Sequence, residues 1–381
     1  LLPLTLRKQK EREKMKFNFL TCVLLWLSLW SGVVEVSSQE VLWRARLYSR
    51  FDNTEFDPLP MRMSRTMAGT RLQPSLGLGI DSINRIFVGT DLCHDWGSHH
   101  IVDRIDPIAY YGYSSHGLTF RIGALPKDTF IARYPRLMFA DSAVWVRPVA
   151  NGFCLEYTAG KSFANFWLDW TGTARQGTIY ESFFVGWSGR LQKGIVYGQH
   201  FGYMFHNVAA DYAPNATEPY GSSVKENIKT LTALGIDLSS TTPLDQLESN
   251  LALSASLERD RGNGEYYTPI GLLWQTVAEY RGLALKNDLY VGSGEQRLYA
   301  RFGNDLYWGD LMYKLPLYDR ADLVIHFFKS NIINIDLELS LHFAMRNVYN
   351  QQMLNVSVDI DNFYRRRIDR SYRYIWQWWT K

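Results

Sequence analysis

The most regular pattern of apolar and polar positions lies near the C-terminal end of the chain. From Ile333 to Phe343, apolar side chains occupy every odd position and polar side chains fill the positions between them. Such a period of two gives a β-strand one apolar face and one polar face. A second alternating run extends from Leu354 to Tyr364. Strands of soluble proteins commonly have about 5–6 residues, whereas a strand that crosses a bilayer needs roughly 9–11. The two runs therefore predict the closing strands of a membrane-spanning β-barrel.

The connections between the predicted strands alternate in length. Short turns such as Arg281–Gly282 alternate with long connections such as Ser293–Leu317. Bacterial barrels have short periplasmic turns and longer outer loops, whereas a β-sandwich has no reason to sort its connections. Sixteen antiparallel strands are predicted, within a range of 14–18, and the count requires Phe153–Thr171 to be one strand bent near Gly160. The predicted strands are residues 40–51, 64–80, 85–96, 107–113, 118–125, 142–149, 153–171, 180–190, 194–206, 225–239, 247–258, 268–280, 283–292, 318–328, 332–343 and 352–364.

Aromatic residues make up 15% of the 381 residues, and many lie near the ends of predicted strands. Tryptophan and tyrosine are enriched where a barrel meets the membrane–water interface. The residues in such positions are Trp43, Trp96, Trp145, Trp170, Trp187, Trp274, Tyr280 and Tyr364. In this architecture the chain resembles the porin-like β-barrels of Gram-negative bacteria. The resemblance implies an all-β, up-and-down transmembrane barrel in the outer membrane, with outer-membrane lipid as a partner.

The two ends of the chain differ from the barrel segment. We expect residues 1–14 to be an upstream extension, 15–38 a signal peptide, 39–364 the barrel and 365–381 a basic, aromatic tail or extra strand. From Gln39 onward the chain has 35 basic and 35 acidic residues. Its basic pI therefore gives no reason to expect a nucleic-acid partner. The sequence leaves open whether Cys93 and Cys154 pair, and also the oligomeric state.

The polar faces of the predicted strands carry charges of both signs. Arg44, Arg46 and Arg50 of the first strand would meet Asp359 and Asp361 of the last strand across the seam of a closed barrel, or else contact only water and loops. Mixed charge suits either polar solutes or an internal network of ion pairs. The residues predicted to face the lumen are Arg44, Arg46, Arg50, Glu279, Arg281, Lys286, Asp288, Asp322, His326, Asp336, Glu338, His342, Asp359 and Asp361.

Two other segments carry candidate chemistry. The long connection Ser293–Leu317 would narrow a pore if folded inward, form an interaction surface if folded outward, or simply pack as a cap. Its candidate residues are Arg301, Asp305, Tyr307, Trp308 and Asp310. His94, His99 and His100 are weak candidates for metal ligands, because no second ligand set at a recognisable spacing accompanies them. A polar rim at the end of a strand is the favoured alternative, and neither a metal nor a cofactor is expected.

The barrel and its charged lumen predict a porin-like channel that passes small polar solutes with weak selectivity, and not an enzyme. One alternative is an outer-membrane lipid hydrolase that uses Ser340 and His342. These residues share a strand face, but positions two apart lie about 7 Å apart along a strand. A nucleophile and its base need about 2.6–3.2 Å. The other alternative is a secreted β-sandwich that binds glycans and remains soluble without detergent.

Overall fold

The computed structural model describes residues 39–131, 133–175, 178–209, 224–363 and 374. The expected signal peptide and most of the tail lie outside these residues, as does Tyr364. The described residues from Glu40 onward belong to one compact unit. Its antiparallel strands are β1 Glu40–Glu55, β2 Arg65–Gly79, β3 Asn84–Asp95, β4 Arg104–Ser115, β5 Leu118–Pro126, β6 Val149–Ala159, β7 Ser162–Trp170, β8 Thr173–Arg175, β9 Thr178–Lys193, β10 Val196–Ala209, β11 Val224–Asp237, β12 Gln246–Asp260, β13 Glu265–Tyr267, β14 Ile270–Tyr280, β15 Leu283–Gly292, β16 Leu317–Lys329, β17 Ile333–Ala344 and β18 Asn347–Asp361.

The sheet closes on itself. Strand β1 pairs with β2 along one edge and with β18 along the other, so the described strands form a complete barrel. The short strands β8 and β13 extend two of the connections, and the other sixteen strands build the wall. At the Arg281–Gly282 turn, Tyr280 pairs with Leu283, which is the register that the apolar pattern predicts. The predicted antiparallel barrel of about sixteen strands is confirmed.

The alternation of side chains places apolar groups on the outside. On β17, Leu339, Leu341 and Phe343 are 38–46% exposed, whereas Ser340 and His342 between them are buried. In a β-sandwich the apolar row would be buried between two sheets. The soluble sandwich alternative is therefore wrong, and the outer surface suits contact with lipid. Among the residues that the structure describes, no helix is long and apolar enough to cross a membrane.

Two errors in the predicted strands cancel each other. Phe153–Thr171 is not one bent strand, because Gly160 adopts a φ of 61° in a tight turn that separates β6 from β7. Residues 142–149 are not a strand, because the helix α2 occupies Ala143–Val146. One strand is gained and one is lost, so the number of strands and the side on which each loop lies are unchanged. Trp145 lies in this helix and is buried, so it is not an interface residue.

Two connections at the long-loop end fold into the barrel, and we call them the inner segments. The first, residues 127–148, contains the helices α1 Asp128–Ile131 and α2, and the second, residues 293–316, contains α3 Tyr299–Phe302 and two 3-10 turns, Gly303–Asp305 and Leu311–Lys314. Both segments contribute buried side chains to a hydrophobic core inside the wall. The main contributors are Phe130, Tyr134, Leu137, Met138, Phe139, Leu306, Met312 and Tyr313. The inner segments therefore fill the barrel at their level.

Candidate functional site

Arg136 attaches the first inner segment to the barrel wall. Its guanidinium group contacts Asp141 of the same segment at 2.9 Å. It also contacts three acidic residues of the wall, with Asp322 and Glu338 at 2.9 Å and Asp288 at 3.4 Å. A guanidinium group has five N–H donors, so it can bind several carboxylates at once. The segment is thus held by a network of ion pairs and not by apolar contacts alone.

Asp141 is shared between the inner segment and two wall arginines. Arg320 donates to its carboxylate at 3.1 Å, and Arg50 donates to its backbone carbonyl at 2.8 Å. Burial alone would raise the pKa of Asp141, but the charges of Arg136, Arg320 and Arg50 outweigh burial and hold this pKa below its ordinary value. Asp141 is therefore ionised at neutral pH and balances the clustered arginines.

The second inner segment is attached through Asp310 and Tyr307. Arg62, in the connection between β1 and β2, donates two hydrogen bonds to the Asp310 carboxylate, at 2.7 and 2.9 Å. Tyr307 donates to Glu258 of the wall at 2.6 Å. Burial would raise the pKa of Asp310, but the charge of Arg62 and the backbone N–H of Met312 outweigh it and lower this pKa. These bonds connect the second segment to two separate parts of the barrel.

A cleft of about 770 Å³ opens at the long-loop end, between the β1–β2 connection and the β17–β18 turn. We call it the outer cleft. Below it on the outer surface lie Phe51 and Leu354, each 37% exposed, so the cleft adjoins the apolar band. Because bacterial barrels carry their long loops on the outer side, the cleft lies near the outer leaflet. It is lined by Glu55, Asp57, Pro58, Ser64, Asn347, Val348, Tyr349 and Asn350.

His342 lies beneath the outer cleft and is fully buried. The edge of Phe56 packs against its ring at a centroid distance of 4.9 Å, and Phe56 in turn contacts Tyr349 of the cleft. The imidazole Nδ1 forms a 2.7 Å hydrogen bond with the hydroxyl of Tyr318. The Nε2 atom has no hydrogen-bond partner among the described residues. A buried polar atom without a partner is uncommon in proteins, so this imidazole is a candidate for chemistry.

Ser340 lies on the same face of β17 but has a different neighbour. Its hydroxyl accepts a hydrogen bond from Arg320 at 3.1 Å. No hydrogen bond joins Ser340 to His342 within the described part of the chain. The proposed pair is therefore not arranged as a nucleophile and its base, in agreement with the spacing of alternate residues along a strand.

The remaining predicted lumen residues form separate contacts. Arg44 pairs with Asp359 across the seam, with N–O distances of 2.9 and 2.6 Å, as the seam hypothesis requires. Arg46 and Arg50 instead contact Asp128 and Asp52. Arg281 lies in the exposed β14–β15 turn and not on the wall. The other contacts are Glu279 with Lys329, His326 with Asp336, Lys286 with Glu338 at 3.9 Å, and Asp361 with the backbone N–H of Phe363.

The predicted constriction residues lie in the second inner segment but do not line an open pore. Trp308 packs against Phe184 of the wall at a centroid distance of 5.5 Å. Arg301 pairs with Glu265 at 2.6 Å, and the carbonyl of Asp305 accepts a hydrogen bond from Asn207. The segment is folded inward and packed.

The three candidate metal-binding histidines do not converge with other ligands. His94 contacts the carbonyl of His100 at 3.0 Å and the carboxylate of Asp103 at 3.6 Å. Nowhere in the described ranges do three or more His, Cys, Asp or Glu side chains meet as a metal site requires. His99 lies in the same loop, between β3 and β4. Cys93 and Cys154 are buried free thiols.

Below the inner segments, toward the short-turn end, the lumen contains an open cavity of about 560 Å³, which we call the chamber. Charged and amide side chains from both the wall and the first inner segment line it. Among them are Arg136, Arg190, Gln246, Glu248, Lys286 and Asp288. Four residues at these sites were not predicted from the sequence, namely Arg136, Asp141, Arg320 and Phe56. The concentration of apolar residues between Phe130 and Trp145 was the available signal, because a solvent-exposed loop does not carry so many.

The sequence was compared with models of known protein families. The model described as lipid A 3'-O-deacylase-type matches residues 35–367, which is most of the chain. The chain belongs to the lipid A 3'-O-deacylase-type family. The prediction that it is not an enzyme is therefore wrong, because this family is a family of enzymes. The family and the closed barrel with its apolar outer surface place the protein in the bacterial outer membrane.

Solved structures similar to this barrel are also outer-membrane proteins. A loop L8 deletion mutant of OmpT, an outer membrane protein of Vibrio cholerae, has a TM-score of 0.53 at 8% sequence identity. The match covers 85% of this chain and 100% of that chain. The outer membrane protein opdK from Pseudomonas aeruginosa has a TM-score of 0.44 at 11% identity, with 85% and 99% covered. No curated protein matches the sequence. At these identities the first structure supports the barrel fold and nothing more specific.

Proposed function

We propose that this protein removes an ester-linked acyl chain from lipid A, at the 3'-O position, in the outer leaflet of the outer membrane. The observation that carries the proposal is the family match over residues 35–367. The position of the outer cleft supports it, because the cleft adjoins lipid-facing Phe51 and Leu354 at the long-loop end. An acyl ester at the headgroup level of the outer leaflet lies at the same height.

His342 is the candidate general base. For this role Nδ1–H donates to the hydroxyl oxygen of Tyr318, which leaves the lone pair of Nε2 free to accept a proton. Water attacks the acyl carbonyl carbon while Nε2 takes its proton. The ester bond to the sugar oxygen then breaks, and the proton passes to that oxygen. The products are a free fatty acid and a sugar hydroxyl group. Because Phe56 and Tyr349 separate the imidazole from the cleft, Phe56 has to move before the ester reaches it.

The proposal is tested with purified protein, diphosphorylated lipid A and detection of released fatty acid by mass spectrometry. Wild-type protein releases the 3'-O acyl chain. His342→Asn keeps a polar atom near Tyr318 but removes the base, and we expect a loss of about 10²–10⁴-fold in rate. Ser340→Ala is the matched control on the same strand face and retains most of the activity. A fully active His342→Asn protein would exclude His342 as the general base. A wild-type protein that releases no fatty acid would exclude the proposed deacylase activity.

Passage of small polar solutes is the second candidate function. The polar chamber of about 560 Å³ favours it. The inner segments oppose it, because their buried side chains fill the barrel above the chamber. Conductance in planar bilayers distinguishes the two functions, and we expect the wild-type protein to show no steady open channel.

A further inference from the structure

A row of outward-facing side chains crosses adjacent strands on one side of the barrel, and we call it the outer row. Its members are directly opposite one another in the strand register, from β7 through β9, β10 and β11 to β12. The inward-facing neighbours Phe184, Phe205 and Glu258 are buried, which confirms that the row faces outward. The outer row consists of Trp170, Phe183, His206, Glu226 and Arg259, together with Arg261 just beyond β12.

The outer row marks the upper border of the apolar band. The outward-facing residues one step lower on the same five strands are all apolar and also pair with one another. They are Leu168, Val185, Met204, Ile228 and Leu257. On each of these five strands, the change from apolar to aromatic and charged side chains occurs toward the long-loop end. Such a change is typical of the depth at which lipid headgroups begin.

The aromatic half of the row forms a continuous stack. The rings of Trp170 and Phe183 lie 5.4 Å apart and are inclined by 14°. The rings of Phe183 and His206 lie 4.9 Å apart and are inclined by 22°. Trp170 is 36% exposed, so one end of the stack is open to the surroundings. The exposed Trp170 ring therefore presents an apolar surface at the level of the headgroup sugars.

The charged half of the row has more positive than negative charge. Arg259 and Arg261 both bind the carboxylate of Glu226, with Arg259 Nε at 2.7 Å. The side chains of the two arginines are 38% and 50% exposed, whereas that of Glu226 is 6% exposed. Among the described residues, the Nη1 group of neither arginine donates a hydrogen bond. The buried carboxylate of Glu226 thus holds two guanidinium groups, and the Nη1 group of each remains available to bind another acceptor.

We propose that the outer row binds the phosphorylated sugar headgroup of one outer-leaflet glycolipid. The lipid phosphate accepts hydrogen bonds from Arg259 and Arg261, since guanidinium groups bind phosphate strongly and with two parallel bonds. The sugar lies against the exposed end of the aromatic stack at Trp170, and the acyl chains lie over the apolar row beneath. Strand β10 is eight wall strands from β1, so the row lies on the opposite side of the barrel from the outer cleft. The inference therefore does not rest on the proposed deacylase activity.

Native mass spectrometry of the detergent-solubilised full chain tests the proposal. The probe is diphosphorylated lipid A, and forms with and without the 3'-O acyl chain are counted together, so that deacylation does not change the result. We expect Arg259→Gln with Arg261→Gln to lower lipid retention about tenfold or more. Glu226→Gln releases both guanidinium groups from their carboxylate, so we expect stronger retention. Arg281→Gln, in the exposed β14–β15 turn at the short-turn end, is the matched control and leaves retention unchanged, because it lies away from both the outer row and the outer cleft.

The opposite effects of the two substitutions separate lipid binding from a purely structural ion pair. If the ion pair only stabilises the barrel, both variants reduce stability and neither changes retention as expected, and the proposal fails. Equal retention of a dephosphorylated lipid with the same acyl chains would also overturn it. Competition by inorganic phosphate at millimolar concentration would show a site for free anions and not for a lipid. If the double arginine variant does not fold, the increase expected for Glu226→Gln decides the question.

Discussion

Arg136 shows how a single side chain can hold a loop inside a barrel. It lies among Asp141, Asp288, Asp322 and Glu338, and only 16% of its side chain is exposed. Removing one member of a buried ion-pair network leaves the others without compensation, which costs far more than the loss of an exposed pair. The stability of the first inner segment therefore depends on this guanidinium group.

We expect Arg136→Gln to lower the free energy of unfolding by about 3–5 kcal/mol, because four carboxylates would lose their shared cation. Arg133→Gln is the matched control. Arg133 lies in the same segment, pairs with Glu156 and is 37% exposed, so its loss costs at most about 1 kcal/mol. Urea unfolding in detergent, followed by tryptophan fluorescence, measures both values. Equal losses for the two variants would contradict the role given to Arg136.

The strands could be predicted from the sequence, whereas the fold of the inner segments could not. The run from Ile333 to Phe343 can be predicted from its own sequence. The alternation of apolar and polar residues indicates a strand, and it also indicates that the apolar face is the one in contact with lipid. No such period marks residues 127–148. The fold of this segment depends on Arg136 meeting acids from β15, β16 and β17, which lie far away in the chain. The outer cleft also joins distant residues, Glu55 and Tyr349, which only barrel closure brings together.

The bond between Arg62 and Asp310 makes the attachment of the second inner segment sensitive to acid. The pKa of Asp310 is lowered in the folded protein, so its contribution to stability is present above the ordinary carboxylate pKa of about 3.9. This contribution is lost as the pH falls through the lower, folded-state value. We expect Arg62→Gln to destabilise the protein by about 1–3 kcal/mol at pH 7 and by less at pH 3.

Urea unfolding of the wild type and of Arg62→Gln between pH 7 and pH 3 measures this difference. The part that does not change with pH reports other contacts of Arg62, such as its position 4.4 Å above the ring of Phe56. A difference that stays constant over the whole range would mean that the charge of Asp310 contributes nothing to the attachment.

The outer surface of the barrel has to match the membrane. Leu253 lies near the middle of β12 and is 52% exposed, whereas Leu191 is 76% exposed near the short-turn end of β9. An arginine on the lipid face costs about 2–4 kcal/mol at the bilayer midplane and about 0–1 near an interface. We therefore expect Leu253→Arg to destabilise the barrel in lipid vesicles much more than Leu191→Arg. Equal effects would contradict the position assigned to the membrane.

The molecule as a whole combines a lipid-facing wall, a filled interior and a cleft beside the outer leaflet. This combination agrees with membership of the lipid A 3'-O-deacylase-type family better than with a permanently open channel. Side chains of the inner segments, such as Phe139 and Tyr313, are buried, so the barrel is packed at the level of these segments. Chemistry on a membrane lipid does not require a continuous pore.

The most direct test is the mass spectrum of lipid A from bacteria that make this protein, compared with lipid A from the same strain without it. If the protein removes this acyl chain, its presence produces a new species that lacks one acyl chain, and fragmentation places the loss at the 3'-O position. Lipid A of unchanged mass, in cells whose outer membrane contains the folded barrel, would contradict the proposed activity.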